Sequence, residues 1–304
     1  MLSRVLLSVC LAITLVFSTV VLAADSDWQQ RVAEALGKSG TEMPGGVYRV
    51  GLPRSDIHAK LDGVDIKPGL ALGGWLAFQK HGEEVMVMGD LVLLGDEVNP
   101  VMMKMEQSGI EITALHNHLL RNEPFTMYMH VLGHGDPVKL ATALHAALAE
   151  SKTPLSSPAV ASGSSQPAAQ PQELGFDPAV IERVLGRKGK ANGPILGFSI
   201  PRTKPIKEAG MEVPEAMGSA IAINFQSTGG NKVATTGDFV LVAKEVNPVI
   251  KALRDNGIEV TAIHNHMLRD EPRAFFMHFW ANDDAEKLAK GLKAALDKIG
   301  VAKG

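Results

Sequence analysis

One stretch of the sequence occurs twice, and it constrains the fold more than any other feature. The segment ALHNHLLRNEPFTMYMH at 114–130 returns as AIHNHMLRDEPRAFFMH at 262–278, which is 148 positions later. Around it, 89–150 and 237–298 align without a gap. An internal repeat of this length is a structural unit that has been duplicated. We therefore expect two copies of one domain in tandem.

Composition places the chain among ordinary globular proteins, with 45% hydrophobic and 21% charged residues among 304 and a formal net charge of −3. It contains no Lys/Arg-rich run, so nucleic acid is not an expected partner. Between the copies, 151–172 is rich in Ser, Ala, Pro and Gln without apolar periodicity, which indicates a flexible linker. The predicted domains are a first repeat at 24–150 and a second at 173–304.

The first 23 residues are typical of an export signal. Arg4 precedes an apolar run at 5–21, and Val21-Leu22-Ala23 is a small-residue cleavage site. We predict cleavage near Ala24, a periplasmic or secreted mature protein and no stable membrane span afterwards; retention as a membrane anchor is the alternative. Cys10, the only cysteine, lies in this segment, so the mature chain has no thiol for disulfides or metal binding.

Both copies predict the same order of elements. A helix (Asp27–Leu36, or 178–186 after a capping Asp177) precedes three strands (46–52, 74–79 and 84–94, or 196–200, 220–226 and 233–242). A second helix is predicted to begin at Asn99-Pro100, or Asn247-Pro248, and to end at Gly109 or Gly257. The first copy continues with a strand at 111–118, a turn, a returning strand at 126–132 and a closing helix at 136–150. This order predicts an α+β fold, with two tandem copies of a mostly antiparallel sheet domain and helices packed on one face.

Six of the ten histidines lie in the repeated stretch, in the pattern His-x-His, four residues, Glu, six residues, His. Strand alternation places the first two on one face, and the returning strand can bring the third beside them. Three imidazoles and a carboxylate suit a divalent metal, with Zn as the first expectation and Cu, Fe, Mn or Ni as alternatives. The predicted ligands, one set per repeat, are His116, His118, Glu123 and His130, and His264, His266, Glu271 and His278.

Other interpretations of these histidines stay open, namely a metal-free polar or catalytic cluster and polar residues of a sheet face with only a structural role. Metal binding is favoured because flanking positions differ between the copies, as Phe125 and Arg273 do, while no candidate ligand differs. If Glu123 and Glu271 are not ligands, they are the candidate catalytic carboxylates, and water holds the fourth position.

Roles other than metal binding are predicted for the remaining residues that stand out in both copies. Arg121 and Arg269 lie in the turns beside the glutamates, where each can hold a small anionic ligand bidentately or pair with a carboxylate. Capping and turn roles are predicted for the remaining shared carboxylates, Asp90, Asp238, Glu97 and Glu245. The methionines of the motif, Met127, Met129, Met267 and Met277, are predicted to fill the core rather than to bind copper.

The duplicated HNHxLRxEP motif with its following Met-His resembles the LppY/LpqO family of exported bacterial proteins, over essentially the whole mature chain. The resemblance implies an envelope location and a two-copy architecture, often with a lipid anchor, and no established activity. Cys10 comes only six residues after Arg4, too early for a lipid acceptor.

These observations predict an exported two-domain protein with one divalent metal site per repeat, for metal sequestration or delivery. A metal-dependent hydrolase with a metal-activated water is one alternative. An envelope interaction module, which binds an envelope protein and has structural histidines, is another.

Overall fold

A computed structural model describes residues 20–155 and 173–302. Most of the predicted signal segment, and 156–172 of the predicted linker, therefore lie outside the described residues. The first repeat consists of α1 (Val20–Leu36), β1 (Thr41–Met43), β2 (Val47–Pro53), β3 (Lys60–Leu61), β4 (Val64–Asp65), α2 (Pro68–Ala71), β5 (Gly73–His81), β6 (Glu84–Leu94), α3 (Gly95–Gln107), β7 (Glu111–His116), β8 (Thr126–Gly135) and α4 (Pro137–Leu148).

The second repeat follows the same order. It consists of α5 (Pro178–Leu185), β9 (Lys190–Asn192), β10 (Ile195–Ile200), β11 (Lys207–Glu208), β12 (Met211–Glu212), a 3-10 turn (Glu215–Met217), β13 (Ile221–Gly229), β14 (Lys232–Val242), α6 (Ala243–Asp255), β15 (Glu259–His264), β16 (Asp270–Glu271), β17 (Ala274–Asp284) and α7 (Ala285–Leu296). Within the described part of the chain, no helix is both long and apolar enough to cross a membrane.

Each repeat forms one six-stranded sheet. The strand orders are β1-β2-β5-β6-β8-β7 and β9-β10-β13-β14-β17-β15, so the second sheet repeats the first strand for strand. The pairings in both sheets are antiparallel, and the α+β prediction is confirmed. In the central strand pairs, Asp90 lies opposite His130 and Asp238 lies opposite His278.

The two sheets pack on each other through one face and on their own helices through the other. Along β6, Val85 and Val87 belong to the core beneath the helices of the first repeat. Met86 and Met88 alternate with them and join the core of the second repeat. Because successive strand residues point to opposite faces, this alternation defines an inner and an outer face. The layers run helices, sheet, sheet, helices.

Each repeat also sends a short segment onto the sheet of the other. From the first repeat, the Lys67 backbone N–H donates to Gln226 Oε1 at 2.9 Å, and Gln226 Nε2 donates to the Asp65 carbonyl at 2.8 Å. From the second repeat, the Ala216 carbonyl accepts a hydrogen bond from Arg49. The two crossing segments, 65–72 and 214–218, therefore interlock the repeats.

The helices after the central strands begin earlier than predicted. The prediction that Asn99-Pro100 starts a helix is wrong, since α3 begins at Gly95 and Pro100 lies inside it, and the same holds for Pro248 in α6. The earlier start is stabilised because Glu97 accepts a hydrogen bond from the Leu94 N–H at 2.8 Å. Pro100 is the sixth residue of α3, past its first turn, so its missing N–H removes the backbone hydrogen bond to the Asp96 carbonyl. Glu97 therefore has the predicted capping role.

Candidate metal centre

The histidines of both repeats meet between the two sheets. They form three close ring pairs, two stacked and one tilted by 30°, and each pair takes one histidine from each repeat. The distances between ring centroids are 3.4 Å, 3.7 Å and 3.8 Å, for His116–His264, His118–His278 and His130–His266 respectively. The centre therefore has an approximate twofold arrangement that exchanges the repeats.

Strand geometry explains why these rings converge. His116 and His264 end the edge strands β7 and β15, while His130 and His278 lie within β8 and β17 on the inner face. The two-residue period of β8 also turns Tyr128 inward. Its ring stacks on that of His118 at 3.3 Å between centroids. The tyrosine therefore restrains the direction of the imidazole.

Hydrogen bonds between the repeats hold the histidine backbone in place. The Thr113 hydroxyl donates to the carbonyl of His266 at 2.6 Å, and the Thr261 hydroxyl donates to that of His118 at 2.5 Å. The Asn117 amide donates to the Thr261 carbonyl at 3.1 Å. Because each repeat positions the backbone of the other, neither builds the cluster by itself.

Buried ring nitrogens without partners distinguish this cluster from an ordinary polar core. The Nε2 atoms of all six histidines are buried, and none has a hydrogen-bond partner among the described residues. His278 Nδ1 lies 2.8 Å from the Gly237 carbonyl, and His116 Nδ1 lies 3.1 Å from the Asn117 carbonyl. A carbonyl only accepts, so in these rings Nδ1 carries the proton and Nε2 presents a lone pair.

Burial also sets the protonation of the rings. It lowers the pKa of His116 to about 4. It also holds the pKa of His118 well below its ordinary value, and there the neighbouring imidazoles act in the same direction. The pKa values of His130, His264, His266 and His278 are lowered as well, again chiefly by burial. The rings are therefore neutral at neutral pH, which is the form that binds metals.

Two aspartates join the cluster, in contrast to the predicted turn and capping roles. Asp90 and Asp238 lie inside β6 and β14. His266 Nε2 is 3.1 Å from an Asp238 oxygen, although the ring is not oriented for a hydrogen bond, and His118 Nε2 is 3.7 Å from Asp90. Burial, together with the charge of Asp238, raises the pKa of Asp90 to about 8, and burial raises that of Asp238 to about 6. The sequence did contain a signal for these two residues, because each copy has a single aspartate at the same position of an otherwise largely apolar strand.

The candidate ligand atoms form overlapping groups. Three groups have their nitrogen or oxygen atoms within 4.8 Å of one another, namely His116, His264 and His278; His130, His264 and His266; and Asp238, His266 and His278. Two of these groups combine residues from both repeats. Since the groups share members, they describe one centre between the repeats. Neutral imidazoles with an adjacent carboxylate fit a divalent metal.

The structure differs here from the predicted pair of sites, because it does not bring Glu123 or Glu271 to the cluster. Glu123 forms two backbone hydrogen bonds with Lys60, both 2.9 Å, and its side chain is exposed. Glu271 pairs with Lys207 in a three-stranded sheet and is exposed too. These backbone pairings hold both glutamates at the surface. Neither belongs to a candidate ligand group.

The motif arginines pair with carboxylates of the opposite repeat. Arg121 contacts both Glu259 oxygens at 2.9 Å and also binds Asp62. Arg269 contacts both Glu111 oxygens, at 3.1 and 2.8 Å. Of the two predicted roles, pairing with a carboxylate is therefore the one observed for both side chains.

Comparison with known families agrees with the duplication. A family described as Domain of Unknown Function (DUF1259) matches residues 30–150 and again 179–298. The chain belongs to this family. The two matches cover nearly all of the described residues and correspond to the two sheets, so one DUF1259 copy is one repeat. The histidine cluster is thus formed between two DUF1259 copies.

No curated protein matches the chain. Solved structures that match include the trimeric bacterial microcompartment shell protein PduB (9% identity, 84% of this chain and 87% of that chain, TM-score 0.19). They also include EtuB from Clostridium kluyveri (10% identity, 85% of this chain and 90% of that chain, TM-score 0.18). A third is TP0453 (14% identity, 86% of this chain and 96% of that chain, TM-score 0.17). TM-scores this low carry no argument about fold or function.

A cavity of about 880 Å³ lies between the two DUF1259 copies and reaches the cluster. The cluster residues on its wall are His118, His266, His278, Asp90 and Asp238. The centre is therefore accessible from one side, while the remaining histidines are enclosed by the sheets. A ligand or solvent molecule in this cavity would contact the candidate ligand atoms directly.

Proposed function

We propose that this chain is an exported divalent-metal-binding protein whose centre is built jointly by the two DUF1259 copies, and that it sequesters or delivers the ion. The observation that carries the proposal is the set of six buried Nε2 atoms without partners. A buried polar atom without a partner costs about 1–3 kcal/mol. A bound cation would satisfy several of them at once.

The finer parts of the proposal have separate supports. Zn is the first candidate because imidazole and carboxylate ligands suit it, with Cu, Fe, Mn and Ni as competitors. Export rests on the apolar N-terminal segment and its cleavage site, and on the resemblance to the LppY/LpqO family.

The test is elemental analysis by mass spectrometry of the mature full chain, purified without an affinity tag. We expect bound metal in the wild type and none in the His116→Ala/His264→Ala double variant. A shared centre further requires that His116→Ala alone and His264→Ala alone each lose more than half of the metal. Two independent sites would instead leave half of it in each single variant. Absence of metal, with no uptake on titration, would contradict the proposal.

A metal-dependent hydrolase is the second candidate, favoured by the cavity that reaches the centre. A metal lowers the pKa of bound water and makes it nucleophilic, and a nearby ionised carboxylate can accept its proton. Asp238 fits this role, because its pKa of about 6 leaves it ionised at neutral pH. Hydrolysis of model carboxylic and phosphate esters by the metal-loaded chain is the measurement. Turnover that disappears in His116→Ala/His264→Ala supports this function, and no turnover leaves metal binding alone. If chelation unfolds the chain and no ester is cleaved, the envelope interaction module with structural histidines is favoured.

A further inference from the structure

The cavity has the size and composition of a small-molecule site. Its volume of about 880 Å³ falls within the roughly 300–1,000 Å³ typical of ligand pockets. Leu70 and Pro214 from the two crossing segments, together with Trp75 on β5, contribute apolar wall. Outside the metal centre, the polar side chains of the wall are those of Arg49 on β2, Ser199, Glu212, Glu215, Asn224 and Thr236. Arg49 is the one Lys or Arg among the described wall residues.

Arg49 is a cation on this wall that the charge of Asp90 influences but that Asp90 does not bind. Its guanidinium carbon lies 4.2 Å from the centroid of the Trp75 ring, and Nη1 donates to the Ala216 carbonyl. Among the described residues no acidic side chain forms an ion pair with it. An arginine has five N–H donors, so most of them are left for a ligand. Burial lowers the pKa of Arg49 to about 10, which leaves it charged at neutral pH.

The contacts of Arg49 also orient it. Stacking on Trp75 fixes the plane of the guanidinium, and the bond to Ala216 fixes its rotation within that plane. A side chain held in this way loses little freedom when it binds. Its planar fork matches the two oxygens of a carboxylate or phosphate group.

The acidic residues of the wall restrict where an anion can bind. Asp90 and Asp238 belong to the metal centre, while Glu212 and Glu215 are exposed. Asp238, Glu212 and Glu215 repel an anion except where a cation offsets them. Arg49 provides one such place, and a divalent ion at the histidines provides the other.

The second repeat has no equivalent of this subsite. Strand register places Gly197 at the position of Arg49 and Ala222 at the position of Trp75. The histidines are thus duplicated while the cation is not. The cavity accordingly has a single anion subsite.

We propose that the cavity binds one small carboxylate- or phosphate-bearing molecule per chain, with its anionic group on Arg49 and another polar group at the metal centre. Contact with the metal rests on the proposed function. Binding of the anionic group rests on Arg49 itself, because its contacts do not depend on a metal.

The test is isothermal titration calorimetry of the zinc-loaded full chain with succinate and, separately, with inorganic phosphate. The two arms distinguish a carboxylate ligand from a phosphate ligand. We expect at least one probe to bind, and Arg49→Met to weaken it about tenfold or more, the loss typical of a charged hydrogen-bonded pair. Arg49→Lys keeps the positive charge but lacks the planar guanidinium, so its affinity for the probe should lie between those of the wild type and Arg49→Met. Arg183→Met, which changes a surface arginine on α5, should leave binding unchanged.

A second variant keeps the test informative if Arg49→Met does not fold. Ala222→Leu enlarges a wall residue while it retains Arg49, and we expect it to weaken probe binding without loss of metal. Metal content is measured in every variant after titration.

Failure of both probes to bind, or equal binding by wild type and Arg49→Met, would overturn the proposal. If the wild type takes up no metal, the proposed function fails. In that case, Arg49-dependent binding by the metal-free chain supports the anion subsite, and its absence overturns it.

Discussion

The two repeats are most alike at the histidines and least alike on the cavity wall. Both place two histidines and one aspartate at matching strand positions, and a third histidine two residues beyond the end of an edge strand. Among the described residues, the first repeat alone lines the cavity with an arginine and a tryptophan, Arg49 and Trp75, where the second has Gly197 and Ala222. A ligand set contributed by both copies requires each to keep its half. A pocket between the copies needs only one recognition group, so the other wall is free to differ.

The repeats also differ in how they balance a buried arginine beneath the sheet edge. Arg54 has no exposed side-chain surface and pairs with both Glu97 and Asp56. Arg202, its counterpart, pairs with Glu245 alone among the described residues. The first repeat therefore has two carboxylates for one buried cation, and the second has one.

This difference yields the largest expected effect. Glu245→Gln should lower the free energy of unfolding by about 3–5 kcal/mol, because it leaves the Arg202 charge buried without a carboxylate. Glu97→Gln should cost less, since Asp56 still balances Arg54. Urea denaturation of the full chain measures both. The Glu97→Gln/Asp56→Asn double variant should match Glu245→Gln, and equal losses in the two single variants would contradict the argument.

A glycine beside each aspartate sharpens the comparison of the central strands. A Cβ added at Gly237 would overlap the backbone oxygen of Ala222, whereas one at Gly89 would first meet the Leu76 side chain at 2.6 Å. Side chains can rotate away, but a paired strand backbone cannot. Gly237→Ala should therefore lower the free energy of unfolding by about 1–3 kcal/mol or more, and Gly89→Ala by less. Thermal unfolding of the two variants side by side tests this, and a larger loss for Gly89→Ala would reverse it.

The aspartates provide a third comparison, this time in metal affinity. Removing a carboxylate that orients or contacts a metal ligand typically weakens binding about 10–100-fold. Asp238→Asn should have the larger effect, because Asp238 lies 3.1 Å from His266 while Asp90 lies 3.7 Å from His118. Competition with a fluorescent zinc chelator gives the affinities.

The matched control for the aspartates is the Glu123→Gln/Glu271→Gln double variant. It should bind metal like the wild type, because both glutamates are exposed and outside the ligand groups. The opposite result, with the glutamates essential and the aspartates neutral, would restore the ligand set predicted from the sequence.

The fold was predictable from local patterns, and the composition of the centre was predictable only in part. Periodicity and the glycines after the helices indicated the strands and helix ends, as at Gly109 and Gly257, both of which have φ of 73°. The histidines were recognisable because their spacing is repeated. That they meet across the repeats depends on the inner faces packing together, and a strand buried on both faces shows no alternation that would reveal this.

The carboxylates near the histidines were also beyond what local sequence patterns could predict. Glu123 was favoured because it is close to the histidines in sequence, yet backbone pairing with Lys60 holds it at the surface. Asp90 is far from them in sequence and becomes a neighbour of His130 only through the register of β6 and β8. Register between strands is a nonlocal property, so spacing within one hairpin could not identify the correct carboxylate.

The motif arginines give the smallest expected effect, and they separate the surface of the interface from its centre. Arg121 and Arg269 are each about half exposed, with 49% of the side-chain surface accessible, so solvent screens their ion pairs. Arg121→Gln should lower Tm slightly more than Arg269→Gln, because Arg121 lies within 3.0 Å of both its carboxylates, Glu259 and Asp62. Arg269 lies 2.8 Å from Glu111 but 3.6 Å from its second carboxylate, Glu208. Both shifts should shrink in about 1 M salt, where charges are screened beyond roughly 3 Å. Metal content and probe affinity should stay at wild-type values in both variants, since these pairs lie outside the cavity wall. A loss of anion binding in either variant would assign to the turns the recognition role that the structure gives to Arg49.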